Sequence, residues 1–215
     1  MKALIFDFDG TLADTNAAIV KTYQETFRAM GRPIPTAETI TPTIGLVSEK
    51  MFPILCPGIT PEDIAEGIKI NRKLFYIVGV PLVRMFDGVV DTLMELKRMG
   101  LKLAIASSRN TPALEYLVDY LDLRKIFDEV HGASSVEKHK PEPDMALLIC
   151  SNLGVKPEEA MVIGDTVFDL GMGINAGTKS CGVTYGNHSR ERLSTVSPDW
   201  LIDDFSELIK IAENG

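Results

Sequence analysis

The chain has 215 residues, of which 45% are hydrophobic and 24% charged, a profile that excludes a disordered chain and allows one large core or a core with a small second domain. Its 22 basic residues against 30 acidic ones leave a net charge of −8, with no basic run anywhere along the chain. That balance excludes the electrostatic footprint of a protein that binds nucleic acid or an anionic membrane.

The apolar run Ala3-Leu4-Ile5-Phe6 predicts a buried strand, and it leads straight into Asp7-Phe8-Asp9-Gly10-Thr11-Leu12. Side chains two apart on an extended chain share a face, so Asp7 and Asp9 point into one space, and Gly10 lets the backbone turn sharply after them. Two crowded carboxylates require a cation or a shared proton. Residues 15–83 then lack a strand signal and carry helix-like stretches at about 15–30, 46–55 and 61–78, punctuated by Gly31 and six prolines, Pro33, Pro35, Pro42, Pro53, Pro57 and Pro61. They read as a small all-helical domain inserted after the first strand, with the core formed by 1–14 and 84–215.

Beyond the insert, strand-like runs at 101–106, 128–131, 160–163, 180–184 and 199–202 alternate with helix-like segments at about 88–99, 111–121, 142–153, 166–176 and 204–213. Val89, Val90, Leu93, Leu96 and Lys97 keep helical spacing, and Gly100 sits where a C-terminal cap belongs. The alternation predicts an α/β fold, a doubly wound, Rossmann-like parallel sheet with helices on both faces. Cys56, Cys150 and Cys181 have no zinc or redox spacing and read as reduced thiols in a cytoplasmic protein. Asp7 interrupts the first apolar stretch too soon for a signal peptide, and no apolar run is long enough to cross a bilayer.

Ligands of such sheets bind beyond the carboxyl ends of the strands. There the sequence places Asp7 and Asp9 after the first strand and Ser107, Ser108, Arg109 and Asn110 after the second. The third is followed by Lys-His-Lys-Pro-Glu-Pro-Asp, 138–144, and the fourth by Gly-Asp-Thr-Val-Phe-Asp, 164–169. Lys140 and Lys138 compete for one role. Asp169 equally suits the first turn of a helix, and Asp14 suits the cap of the first insert helix. Gly171, Gly173 and Ala176 spell a dinucleotide-like fingerprint, but inside a helix, which excludes nicotinamide binding. His131, His139 and His188 are scattered and read as surface or structural; Met51, Met94 and Met99 fall at core-like positions.

In order and spacing these four loops resemble the motifs of the haloacid dehalogenase superfamily, and the insert resembles its small helical cap, most similarly to the phosphoglycolate phosphatase and β-phosphoglucomutase group. The resemblance implies Asp7 as a nucleophile forming an aspartyl-phosphate and Asp9 as acid and base. It implies magnesium held by Asp7, the carbonyl of Asp9 and Asp165, with Asp169 at or beside the metal. Ser107, Ser108, Lys140 and the amide region of Gly10 would bind the phosphoryl oxygens. On that assignment four aspartates, one lysine and magnesium leave one negative charge, which a proton on Asp9 would cancel.

A dehalogenase has no acid two places after its nucleophile, so Asp9 points to phosphoryl chemistry. A β-phosphoglucomutase uses a cap histidine, and no histidine precedes His131. A phosphonatase uses a cap lysine, and neither Lys21 nor Lys50 lies in a pattern that marks one. The expected activity is a magnesium-dependent phosphatase acting on a small phosphorylated metabolite. A mutase, a pyrophosphatase and a silent phosphate-ligand sensor are the alternatives, and monomer and homodimer stay open. A receiver domain lacks both the insert and the paired aspartates. Substrate choice is expected from the insert, at Gly45, Leu46 and Lys50 on the segment Thr43 to Met51.

Overall fold

The computed structural model describes residues 1–214. Strand β1 (Ala3–Phe6) is followed by β2 (Ala13–Asp14), and then by helices α1 (Asn16–Ala29), α2 (Ala37–Ile40), α3 (Ser48–Leu55) and α4 (Pro61–Leu74). Strand β3 (Arg84–Met85) opens the alternating part, which continues with α5 (Val89–Arg98), β4 (Lys102–Ala106), α6 (Thr111–Tyr120) and β5 (Glu129–His131). The chain ends with α7 (Asp144–Leu153), β6 (Ala160–Gly164), α8 (Val167–Ala176), β7 (Lys179–Val183), α9 (Arg190–Ser194), β8 (Trp200–Ile202) and α10 (Glu207–Asn214).

Six strands form one parallel sheet in the order β5-β4-β1-β6-β7-β8. Alternate residues of β1 serve opposite faces, as the period of two requires. Leu4 and Phe6 join α5, α6 and α10 in one apolar cluster, while Ala3 and Ile5 join α7 and α8 in another. With both faces covered, the inner strands are continuously apolar, which is why they stood out in the sequence. In register, Phe6 lies opposite Ile105 and Ile163, so the residues after β1, β4 and β6 emerge side by side at one sheet edge.

Between Asp14 and Arg84 all regular structure is helical, and it has its own core. Phe27 stacks on Phe52 with centroids 5.5 Å apart, and Ile40, Met51, Leu55 and Ile68 close around them. Thr60 caps α4, its hydroxyl accepting from the Asp63 amide at 3.2 Å, with Pro61 in the first turn where no amide donor is needed. The two chain crossings into this unit are tied together by the antiparallel pairs Ala13–Met85 and Asp14–Arg84.

Several expectations change in detail. The stretch 61–78 is not one helix: α4 ends at Leu74, and Phe75–Gly79 continues as a wider π-type turn. Met94 is 60% exposed because the buried stripe of α5 runs through Val89, Thr92, Leu93 and Leu96, while Met51 is buried as expected. Asp14 accepts from the Asn16 amide at 3.1 Å, although Thr15 is the residue in the cap position. Among the described residues no helix is long and apolar enough to cross a membrane.

Candidate active site

The turn after β1 brings its two aspartates to the centre of the sheet edge. The Asp7 amide donates to the Ile163 carbonyl at 2.8 Å, prolonging the ladder by one residue. The chain then folds back, with the Leu12 and Ala13 amides both donating to the Phe8 carbonyl at 3.1 Å. Gly10 stands at φ +92°, and a Cβ there would lie 2.3 Å from an Asp165 carboxylate oxygen. Only glycine lets this backbone pass so close to the neighbouring loop. The Gly10 amide donates to the Ala13 carbonyl at 2.9 Å, so it is engaged inside the turn rather than offered to a phosphoryl group.

Lys140 is buried between two aspartates, its Nζ donating at 2.6 Å to Asp7 and at 2.6 Å to Asp169. Lys138, the rival, is exposed. Asp169 also accepts from the Thr166 amide at 3.0 Å and the Thr166 hydroxyl at 2.6 Å, so it completes the capping box that Thr166 opens on α8 and holds Lys140 at once. Asp165 is fixed by the Thr11 hydroxyl at 3.0 Å and by the amide and side chain of Asn187, both at 2.7 Å. Oxygens of Asp7, Asp165 and Asp169 lie within 4.8 Å of one another.

Burial is the largest influence on Asp7 and pushes its carboxyl well above the usual range; Lys140 opposes this, while the neighbouring aspartates add to it. Burial, then Asp169, pushes Asp165 up to about 7. Burial alone would lower Lys140, but Asp169 and Asp7 outweigh it and hold the ammonium above its ordinary value. Carboxylates that resist ionisation because they are crowded and dry are also a demanding site for a cation, and an all-oxygen donor set fits magnesium. His188 is structural: its Nδ1 accepts from the Val167 amide at 3.1 Å, and burial lowers it to about 4.

Asp9 has a different partner. Its carboxylate takes both arms of Arg109, from Nη2 at 2.5 Å and Nε at 3.1 Å. Arg109 thus sets a positive charge beside Asp9, one that the count over the four aspartates, the lysine and magnesium leaves out. Ser107 is fully buried, and its hydroxyl accepts from the Arg109 amide at 3.1 Å. Asp7, Asp9, Ser108 and Arg109 floor a cavity of about 80 Å³, room for several waters. Its roof comes from the helical unit: Ile44, Leu46, Met51 and Phe75, with the polar Tyr23, Ser48 and Asn71. Gly45 lines it too, at φ +98°, where a Cβ would lie 3.0 Å from the Thr166 methyl. Lys50 is exposed and does not line it, because α3 turns Ser48 and Met51 inward instead.

Sequence reasoning missed Thr11, Asn187, Tyr23 and the pairing of Arg109. The one signal for Arg109 was its place two residues after Ser107, at the end of an inner strand.

The fold and this sheet edge define a class, and the sequence profile of haloacid dehalogenase-like hydrolases matches residues 4–183. The chain belongs to that family. It is 32% identical to the pyrophosphatase PpaX of Bacillus velezensis, covering 97% of this chain and 95% of that protein. It is 30% identical to the phosphoglycolate phosphatase of Salmonella choleraesuis, covering 97% and 91%. A haloacid dehalogenase-like hydrolase of Streptococcus pneumoniae superposes with a TM-score of 0.88 at 26% identity, over 99% of this chain and 98% of that one. Within the family this protein is a phosphatase.

Proposed function

We propose that this phosphatase hydrolyses small phosphate monoesters through an aspartyl-phosphate on Asp7, in the cytoplasm and with magnesium. The observation that carries the reading is the placing of Asp7 and Asp9 together under a small roofed cavity, with Lys140 and the metal-competent aspartates behind them. Residues 15–83 act as the cap and 1–14 with 84–215 as the core. Asp7, Asp165 and the carbonyl of Asp9 hold the metal, with Asp169 beside it. When bound, magnesium neutralises phosphoryl oxygens and aligns the group for in-line attack.

The Asp7 carboxylate forms an oxygen–phosphorus bond as the ester bond to the leaving oxygen breaks. Asp9 gives that oxygen a proton, then takes one from the water whose attack releases phosphate and restores Asp7. Ser107, Ser108 and Lys140 bind the non-bridging oxygens, and Lys140 already touches Asp7 at 2.6 Å. The cap excludes bulk water and screens the leaving group. A cavity of about 80 Å³ suits a small metabolite and not a folded phosphoprotein. No cap histidine is present to support mutase chemistry, since the first histidine is His131.

The test is phosphate release from a panel of small esters and pyrophosphate, with magnesium and with chelator. Magnesium-dependent release from one or a few members is expected. No release at millimolar concentration from any of them would set hydrolysis of this class aside.

A further inference from the structure

The chain has five tyrosines, and three of them form one row on the surface. Tyr76 of the helical unit meets Tyr116 of α6 edge to face, with centroids 5.0 Å apart, and Tyr116 stacks on Tyr120 at 6.1 Å. Packing within the chain uses only part of this row. Tyr116 is 44% exposed, Tyr120 53%, and Ile77, beside Tyr76 in sequence, 69%. The buried stripe of α6 is Ala113, Leu114, Leu117 and Val118, so Tyr116 and Tyr120, one turn apart, make its outward face. Large apolar groups gathered in one exposed place mark a contact surface. Tyrosine is favoured at such surfaces because its ring is apolar and its hydroxyl tolerates water.

The charges around the row say which partner fits. On the side of the helical unit, Arg72 and Lys73 are both exposed and stand four residues before Tyr76 and Ile77. On the core side, Glu115 and Asp119 directly precede Tyr116 and Tyr120, and α6 carries no cation. Arg124 pairs with both acids and offsets only one of them. The row thus lies between a basic flank and an acidic one. A two-fold axis through its middle sets row on row and each basic flank on the partner's acidic flank, which is the self-complementarity an isologous contact requires. A lipid surface offers no such pairing of signs, and the net charge of −8 opposes an anionic one. We propose that Tyr76, Ile77, Tyr116 and Tyr120 form the centre of a two-fold interface with a second copy of this chain. The interface spans the helical unit and the core, and it is independent of the reaction assigned to the cavity.

The experiment is sedimentation of the wild type from about 1 to 100 µM subunit, the range in which modest interfaces associate. A reversible rise from the 23.6 kDa chain to twice that mass is expected. Ile77→Glu and Tyr120→Glu, both at exposed positions outside the active site, are expected to raise the dissociation constant by about tenfold or more while Tm moves by no more than about 2 °C. Lys73→Glu sets an acid against the partner's acidic flank and is expected to raise it about threefold. Met94→Glu, at a comparably exposed apolar position on α5, is the control and is expected to leave the dimer intact. A wild type that stays monomeric at the highest concentration overturns the proposal. A dimer that survives both Ile77→Glu and Tyr120→Glu, or that Met94→Glu breaks as readily, has its interface elsewhere and overturns it too. A dimer as tight in Lys73→Glu as in the wild type overturns the two-fold pairing of the flanks.

Discussion

The floor and the roof of the cavity are built on opposite plans. On the floor and directly behind it nearly every functional group is charged, buried and already partnered: Arg109 with Asp9 on the floor, and behind it Lys140 with Asp7 and Asp169 and Asp165 with Thr11 and Asn187. The roof presents Ile44, Leu46, Met51 and Phe75 and contributes no ionised side chain; Tyr23, pushed up to about 12 by burial, stays neutral there. Charges held in a dry site act strongly on a reacting group without reorganising, whereas apolar walls discriminate by shape at small cost per contact. Under the proposed function the reaction accordingly belongs to the floor, and the roof grades what enters.

The largest expected effect lies on the floor. Asp9→Asn keeps the side-chain shape and the backbone carbonyl but loses the proton carrier and the charge that Arg109 grips. Turnover is expected to drop by about 10³-fold or more, while calorimetry still detects magnesium binding. Loss of magnesium binding in that variant would show that the carboxylate itself is an essential ligand.

A second, smaller effect separates the floor from the rest of the molecule by pH. Asp7 and Asp165 are both held above their unfolded values, Asp165 at about 7. A raised carboxyl adds stability below its unfolded value, and that stability is lost as pH rises through the folded one. The ion-free cluster thus destabilises the fold at pH 8 relative to pH 5, and a cation bound there relieves the penalty. The rise in Tm caused by saturating magnesium is expected to be larger at pH 8 than at pH 5 by roughly 5 °C. An equal or larger rise at pH 5 would mean that the ion does not bind this cluster.

The same contrast explains what could be read in advance. The inner strands announced themselves because a doubly covered sheet needs unbroken apolar runs, and Asp7, Ser107 and Asp165 followed because each directly succeeds such a run. The Thr11–Asp165 and Arg109–Asp9 contacts join residues 154 and 100 positions apart, and no local pattern encodes which side chain of one loop meets which of another. The strands β2 and β3, two residues each, are too short to show a period of two. Lys50 illustrates the limit on the roof: charge suggested a role, but the helical phase of α3 sends Ser48 and Met51 to the cavity and Lys50 to solvent.

The smallest expected effect lies on the roof. Leu46 follows Gly45, which packs close to the Thr166 methyl, so its side chain enters the cavity where cap and core nearly touch. Leu46→Ala removes three carbons from that wall and none from the centres of the three hydrophobic clusters. The expected outcome is a shift in selection: the ratio of kcat/KM for a longer ester over a shorter one rises about three- to tenfold, the scale of one or two methylene groups in a pocket. Tm is expected to move by no more than about 2 °C, because Leu46 is only half-buried at the edge of the cap core. A uniform drop across all esters would instead make Leu46 part of the closure that both kinds of substrate need, and would weaken the division between a reacting floor and a selecting roof.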